Sequence, residues 1–307
     1  MSETRSSEPT LGNEYQKGTA AAFSVAIIWG LSFVAASVAL RTLSPVTLAT
    51  VRFIIASLIF LPFILGDLRK GKLPLRNDLK DMALLGVLSI SLYFWLQYTG
   101  VKYTGPGVSA ILVVGFIPIL TGLFSSMILK EEFTKQKKMG TILGFLGVGL
   151  ITLPGLILGN VGLSFYFGVA CLLGNAVCWS IYSTYSRRLM QRQYRPATVT
   201  SYVTVFGALV LLPLSLTSDW STISHLDSSQ WLSILYLASI CSGGGYFLWN
   251  FALARIETVR AAVWLYLEPV AAFLGEAILF FAMPDSLTLI GGLSIMAGAL
   301  LTSASKK

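Results

Sequence analysis

Glu268, Glu276 and Arg52 are ionisable residues set inside long apolar stretches, and they are where this sequence can do chemistry. An ionisable side chain in hydrocarbon costs about 2.5–3.5 kcal/mol on insertion scales, so it reads as functional by default. Glu268 stands directly before Pro269. Proline has no N–H to donate, which leaves a backbone carbonyl free near the carboxylate. Such a polar spot can hold a cation, a proton or a substrate amine. A carboxylic acid in low dielectric favours its protonated form, which suits it to proton coupling. The plainer alternative is a carboxyl that bonds a neighbouring helix and holds the kink. Glu276 follows two turns later, rotated by about 80° on the helix surface, and reads as a second stop on a proton path. Arg52 is expected near the outer interface, where an arginine snorkels or pairs structurally more often than it binds substrate.

Aromatic side chains give a second chemistry. Trp29, Tyr93, Trp179, Tyr182, Tyr246 and Trp264 lie within apolar stretches, some at a depth where an interfacial belt cannot account for them. Tyr93 with Gln97, and Tyr246 with Asn250, are spaced to share a helix face, as are Trp179 with Tyr182. A ring beside an amide suits the wall of a cavity for flat or amphipathic ligands, and cation–π contact would suit an amine. Packing between helices, with the amides hydrogen-bonded, is the competing reading. Gly243-Gly244-Gly245 can let a helix bend at Gly244, and Pro118 and Pro269 are hinge candidates. No nucleophile stands with a base, and no P-loop pattern occurs. His225 is the single histidine, and Cys171, Cys178 and Cys241 all lie in apolar runs, so neither a metal site nor a disulfide is expected. The residues predict a protein that is not an enzyme and needs no cofactor.

The elements that must position these groups follow from composition. The chain has 307 residues, of which 55% are hydrophobic and only 12% charged, with a mean hydropathy of +0.74. That is about half the charge of a soluble protein. Runs of roughly 20 apolar residues, each able to cross a bilayer, fall at approximately 18–40, 45–66, 80–100, 104–129, 137–156, 163–186, 197–216, 229–253, 258–281 and 286–304. Residues 1–17 read as a disordered cytoplasmic tail. With the N-terminus inside, 19 of the 22 basic residues gather in inner segments, which predicts a multi-pass protein with both termini cytoplasmic. The net charge of +8 is absorbed by this topology, so no nucleic acid partner is expected.

The chain repeats itself. Pro45 with Pro196, Pro62 with Pro213, and Pro118 with Pro269 are each 151 residues apart, as are Gly140 with Gly291 and Gly147 with Gly298. Trp29 and Trp179 miss that offset by one. Chance gives about 0.2 such proline pairs at a given offset. Five spans per copy is an odd number, so the second copy must enter the membrane from the opposite face. Inverted repeats place a substrate site near the midplane between the halves.

On these residues the chain resembles a known family. The run IIWGLSFVAASVALRTLSPVTLATVRFIIASLIFLP (27–62) resembles the opening of an EamA-type repeat of the drug/metabolite transporter superfamily. So does GYFLWNFALARIETVRAAVWLYLEPVAAFL (245–274), with its aromatic-rich eighth span and Leu-Glu-Pro. The resemblance covers about 18–304, as one copy over 18–156 and an inverted copy over 163–304. It implies an all-α integral membrane fold, with ten helices in two inverted five-helix repeats around a central cavity. It also implies an exporter of small metabolites such as amino acids, in a bacterial inner membrane. The family's glutamate at the end of span four is matched loosely by Glu131 and Glu132, but Ala282 and Met283 stand at the second copy's positions.

The expected function is therefore secondary transport of a small-molecule substrate by alternating access, with proton coupling through Glu268 and Glu276. A non-coupled facilitator, a channel or a lipid scramblase would use the same cavity. The lipid bilayer is the expected surrounding, and the protein is expected as a monomer or homodimer.

Overall fold

The computed structural model describes residues 11–152, 162–192, 194–280 and 286–304. Among them there are twelve α-helices, two π-helical stretches and two short 3-10 turns, and no strand. The first half holds α1 (Leu11–Ala39), α2 (Pro45–Arg69), α3 (Arg76–Gly86), a π stretch (Val87–Leu92), α4 (Tyr93–Ile128) and α5 (Lys135–Thr152). The second holds α6 (Leu163–Gln191), α7 (Pro196–Leu214), α8 (Ser228–Leu235), a second π stretch (Tyr236–Gly245), α9 (Tyr246–Leu253), α10 (Thr258–Trp264), α11 (Leu267–Phe280) and α12 (Ser286–Ala304). The chain is an all-helical, multi-pass membrane protein.

Local chemistry sets the helix starts. Ser44 caps α2 by accepting the Thr47 N–H at 3.1 Å, and Pro45 fills the first helical position, where its missing N–H costs nothing. Pro196 does the same for α7. Asp227 and Gln230 form a reciprocal capping box at α8. Large apolar side chains such as Leu58, Met127, Ile142, Ile278 and Leu293 stand exposed on the outside. An exterior of that kind suits lipid and not water.

Among the described residues, six stretches are long and apolar enough to cross a membrane: Gly12–Ala36, Pro45–Arg69, Arg76–Gly100, Leu163–Gln191, Pro196–Thr217 and Ser228–Leu253. Leu112–Ile128 and Ile290–Thr302 are shorter apolar helices at the expected fourth and tenth spans. The expected ninth span is two helices, α10 and α11, parted by a turn at Leu265–Tyr266. The helical run of α4 contains parts of both the third and the fourth expected spans. Asn175 Nδ2 donates to the Tyr93 carbonyl and Ser180 Oγ to the Ile117 carbonyl. Those α6 partners are about 7.5 Å apart, whereas a straight helix would separate Tyr93 from Ile117 by about 36 Å. The run therefore folds back on itself, and Gly105-Pro106-Gly107 supplies breakers between its two arms.

The two copies interlock as inverted repeats should. Helix α1 packs on α11, and its counterpart α6 packs on α4; α2 packs on α7, and α5 on α12. The glycines at the α5–α12 seam pair crosswise. A Cβ on Gly140 would stand 2.5 Å from the Gly298 carbonyl oxygen, and one on Gly147 would stand 2.6 Å from that of Gly291. Since Gly140 corresponds to Gly291 and Gly147 to Gly298, exchanging the two copies maps one contact onto the other. Both π stretches also fall at equivalent places, immediately before Tyr93 and Tyr246. Finally, α1 starts at Leu11, so helix reaches into the segment that composition reads as tail.

Candidate functional site

The two equivalent tryptophans meet at the interface of the repeats. Trp29 of α1 and Trp179 of α6 lie edge to face with ring centroids 5.0 Å apart. Tyr246 packs on both, at 5.7 and 5.6 Å. Tyr93 lies 5.3 Å and Tyr182 5.1 Å from Trp179, and Trp249 closes the group. Five of the predicted site residues are thus one cluster: Trp29, Tyr93, Trp179, Tyr182 and Tyr246. The rings touch one another and are mostly buried, so they form a packed aromatic centre and not the wall of an open void. The Trp29 indole N–H donates to the Cys241 carbonyl at 3.0 Å, in the second π stretch. A π stretch leaves carbonyls displaced from the regular ladder, and here one of them faces an indole.

The other predicted residues are placed differently. Asn250 donates to the Tyr182 hydroxyl at 2.8 Å and to Thr200 Oγ1 at 2.9 Å, which ties α9 to α6 and α7. Its partner ring is Tyr182, and the Tyr246 hydroxyl turns away to the Ser89 carbonyl. Gln97 is half-buried on α4. Trp264 is apart from the cluster, packed edge to face on Phe23 at 5.7 Å. The side chain of Glu276 lies outside the described residues, as do Ala282 and Met283.

Glu268 is 8% exposed on the first turn of α11, and no described residue hydrogen-bonds or ion-pairs with its carboxylate. The carbonyl that Pro269 cannot bond is that of Leu265, and it is not free: the Glu268 N–H donates to it at 2.9 Å. The break at Leu265–Tyr266 sits just ahead of Pro269 and is fastened by Tyr266, whose hydroxyl donates to the Gly115 and Thr141 carbonyls at 3.0 and 3.1 Å. Pro118, the equivalent proline, lies within the α-helical run of α4. The span-four helices of the two copies thus differ. In the second π stretch a Cβ on Gly244 would meet only the Ser239 carbonyl at an ordinary contact distance of 3.8 Å, whereas a Cβ on Gly245 would collide with the Trp29 indole.

Of the two expectations for Arg52, snorkelling or structural pairing, the structure shows the pairing. It is 6% exposed; its Nε donates to Ser242 Oγ at 2.5 Å across the repeat interface, and its guanidinium lies over Phe53 and Phe94 at 5.3 and 5.1 Å. The sequence signal for this was weak: one arginine early in a span fits either position.

One end of the bundle is held by ion pairs that sequence spacing did not reveal. Glu257 pairs with Lys137 and, at 2.8 Å, with Arg260. Glu131 pairs with Arg187 at 2.6 Å and accepts from the Thr258 N–H and hydroxyl. Arg187 also donates to the Leu253 and Ile256 carbonyls. Glu14 joins Lys17 to Arg255. Asp78 accepts from Arg192 and from the Tyr194 hydroxyl. Burial would push the Glu257 carboxyl up, but Lys137 and Arg260 outweigh it and hold the group below its ordinary value. Among the described residues all six ion pairs lie at this end, where α4 and α9 finish and α5 and α10 begin. At the opposite end the fastening is lighter, as in the Gln230–Thr42 hydrogen bond.

Known proteins match this architecture. A crystal structure of a protein 22% identical in sequence superposes with a TM-score of 0.76, covering 93% of this chain and 96% of that one, and shares the fold. An uncharacterized transporter of Archaeoglobus fulgidus is 33% identical over 86% of this chain and 90% of its own. Proteins named as probable amino-acid metabolite efflux pumps, from Salmonella typhimurium and Escherichia coli, are 29% and 28% identical, each over 90% of this chain and 91% of their own. The pattern of the EamA-like transporter family matches twice, over residues 16–153 and 166–304, and the chain therefore belongs to that family.

Proposed function

We propose that this protein is a secondary exporter of amino acids or related amphipathic metabolites, working by alternating access with its substrate held at the interface of the two inverted repeats. The observation that carries this reading is the convergence of Trp29, Trp179, Tyr93 and Tyr246 from both copies beside two buried, oppositely charged side chains, Glu268 and Arg52. Family membership supports transport, and the efflux pumps among its relatives support metabolites as cargo. The ion-paired end is the one at which basic residues gather, so it faces the cytoplasm of a cell membrane, with both termini on that side. Its ion pairs keep the inner end shut in the conformation described, while the turn at Leu265–Tyr266 and the two π stretches are where helices can rearrange. Glu268, lacking a described partner, is the group that exchanges a proton during the cycle.

The test is uptake into proteoliposomes from a mixture of labelled amino acids, with and without an imposed pH gradient, for wild type and Glu268→Gln. Accumulation driven by the gradient in wild type and reduced to equilibration in the variant is the expected result. Gradient-independent transport that survives the substitution would return Glu268 to a structural role, and absence of any transport would remove the amino-acid assignment.

A further inference from the structure

Three basic side chains are buried among the described residues: Arg52, Lys137 and Arg260. Lys137 and Arg260 share the carboxylate of Glu257. Arg52 forms no ion pair with an acid among the described residues, Glu268 included; its polar partners are the hydroxyls of Ser242 and Tyr98. A guanidinium cannot shed its charge by losing a proton. A buried charge left without a counter-ion is costly, and two hydroxyls neutralise none of it.

The surroundings are those of a receptor for a planar anion. Ser242 holds Nε, which fixes the plane of the fork, and the guanidinium carbon lies over the neighbouring rings of Phe53 and Phe94 at 5.3 and 5.1 Å. Phe94 and Phe53 in turn pack on each other at 5.2 Å, while Phe94 touches Tyr93 and Phe53 touches Tyr246. Arg52 is therefore continuous with the aromatic centre. Its support is divided between the copies: Arg52, Phe53 and Phe94 come from the first and Ser242 from the π stretch of the second. A bond that crosses the repeat interface must remake when the repeats rock past each other, which makes Arg52 sensitive both to cargo and to conformation.

We propose that Arg52 is the docking point for a carboxylate on the cargo, held by the fork in bidentate fashion while the cargo's apolar part lies on the aromatic centre. This rests on the exporter reading above and narrows it: the cargo carries an anionic group, and compounds lacking one are poor substrates. Glu268, a separate buried charge with no described partner, remains available to a proton or to the amine of the same cargo.

The test uses the full-length protein in detergent and in proteoliposomes, with a panel of amino acids each paired with its carboxamide, which keeps the amine and side chain but lacks the carboxylate. Binding is read from quenching of the native tryptophans, and transport from competition. Wild type is expected to prefer acid over amide by roughly 10- to 100-fold, the range of a charge-assisted hydrogen-bonded contact. Arg52→Gln should reduce that preference to within about twofold by weakening acids while leaving amides unchanged. Arg52→Lys keeps the charge without the fork and should fall between. Ser242→Ala, the milder change, should lower the preference in a protein that retains its melting temperature. A wild type with no preference for any acid over its amide overturns the assignment. So does an Arg52→Gln or Ser242→Ala protein that weakens acids and amides equally. If amides and acids are both carried well, the exporter reading survives and only the role of Arg52 falls.

Discussion

Replacing Glu257 by Gln separates a gate from a scaffold. Glutamine keeps the shape and an acceptor oxygen but removes the single negative charge that Lys137 and Arg260 share. Lys137 is 1% exposed, and it would retain only the Glu132 carbonyl, 2.6 Å away. Removing one partner of a buried ion pair costs about 3–5 kcal/mol, because the remaining charge is stranded. If the ion pairs form only while the inner end is shut, that cost falls on the shut state alone. Even the lower figure then moves the open–shut equilibrium by about 100-fold. Cys241 reports it, since this buried thiol lies beside Trp29 in the centre of the protein. In a Cys171→Ser, Cys178→Ser background, a membrane-impermeant maleimide is added to inside-out vesicles. Glu257→Gln should label at least tenfold faster than its parent, and adding Lys137→Gln should reverse most of the gain. A lowered melting temperature with unchanged labelling would refute the gate, because the pairs would then serve stability in every state.

Three further outcomes follow. Gly140→Ala and Gly147→Ala should each cost about 1–3 kcal/mol of stability by overpacking the α5–α12 seam, while Gly66→Ala, which meets nothing within 4 Å, should be neutral or slightly stabilising; thermal unfolding in detergent compares them. Gly245→Ala should impair transport by displacing the Trp29 indole, whereas Gly244→Ala, which meets only an ordinary contact, should preserve it. The lowered pKa of Glu257 also fixes the pH response of the inner end. Since the Glu257 carboxyl is held below its ordinary value of 4.5, its contribution is complete above that pH and is lost only as pH falls through the lowered value. Labelling of Cys241 from the inner face should thus be flat from pH 8 to about pH 5 and rise only in stronger acid.

Much of the architecture was legible because membrane proteins obey a single dominant constraint. Backbone groups in lipid must bond internally, so apolar runs declare helices, and basic residues declare their ends. The proline and glycine spacing exposed the repeat, and the crosswise contacts of Gly140 with Gly298 and Gly147 with Gly291 are its physical counterpart. Periodicity also brought Trp29, Tyr93, Trp179, Tyr182 and Tyr246 into one reading, since equivalent positions of two inverted copies must converge at their interface. It failed where partners are distant in sequence. Nothing local says that Asn250 bonds Tyr182 and Thr200, or that Arg52 crosses to Ser242. The break at Leu265–Tyr266 was not legible for a related reason: it is held by Tyr266 reaching to Gly115 and Thr141, contacts that belong to the other copy. Ion pairs such as Glu131 with Arg187 join segments far apart in sequence, whose charges, read along the chain, serve equally well as topology signals.

The most direct measurement of the central claim is counterflow. Proteoliposomes are preloaded with an excess of an unlabelled amino acid that the pooled uptake assay identifies, and entry of the same labelled compound is followed. A carrier that exposes its site to one side at a time must show saturable entry, transiently accelerated above that of empty vesicles, because the loaded protein returns faster. Entry that rises linearly with concentration and ignores the internal load would contradict alternating access and indicate a continuous pore.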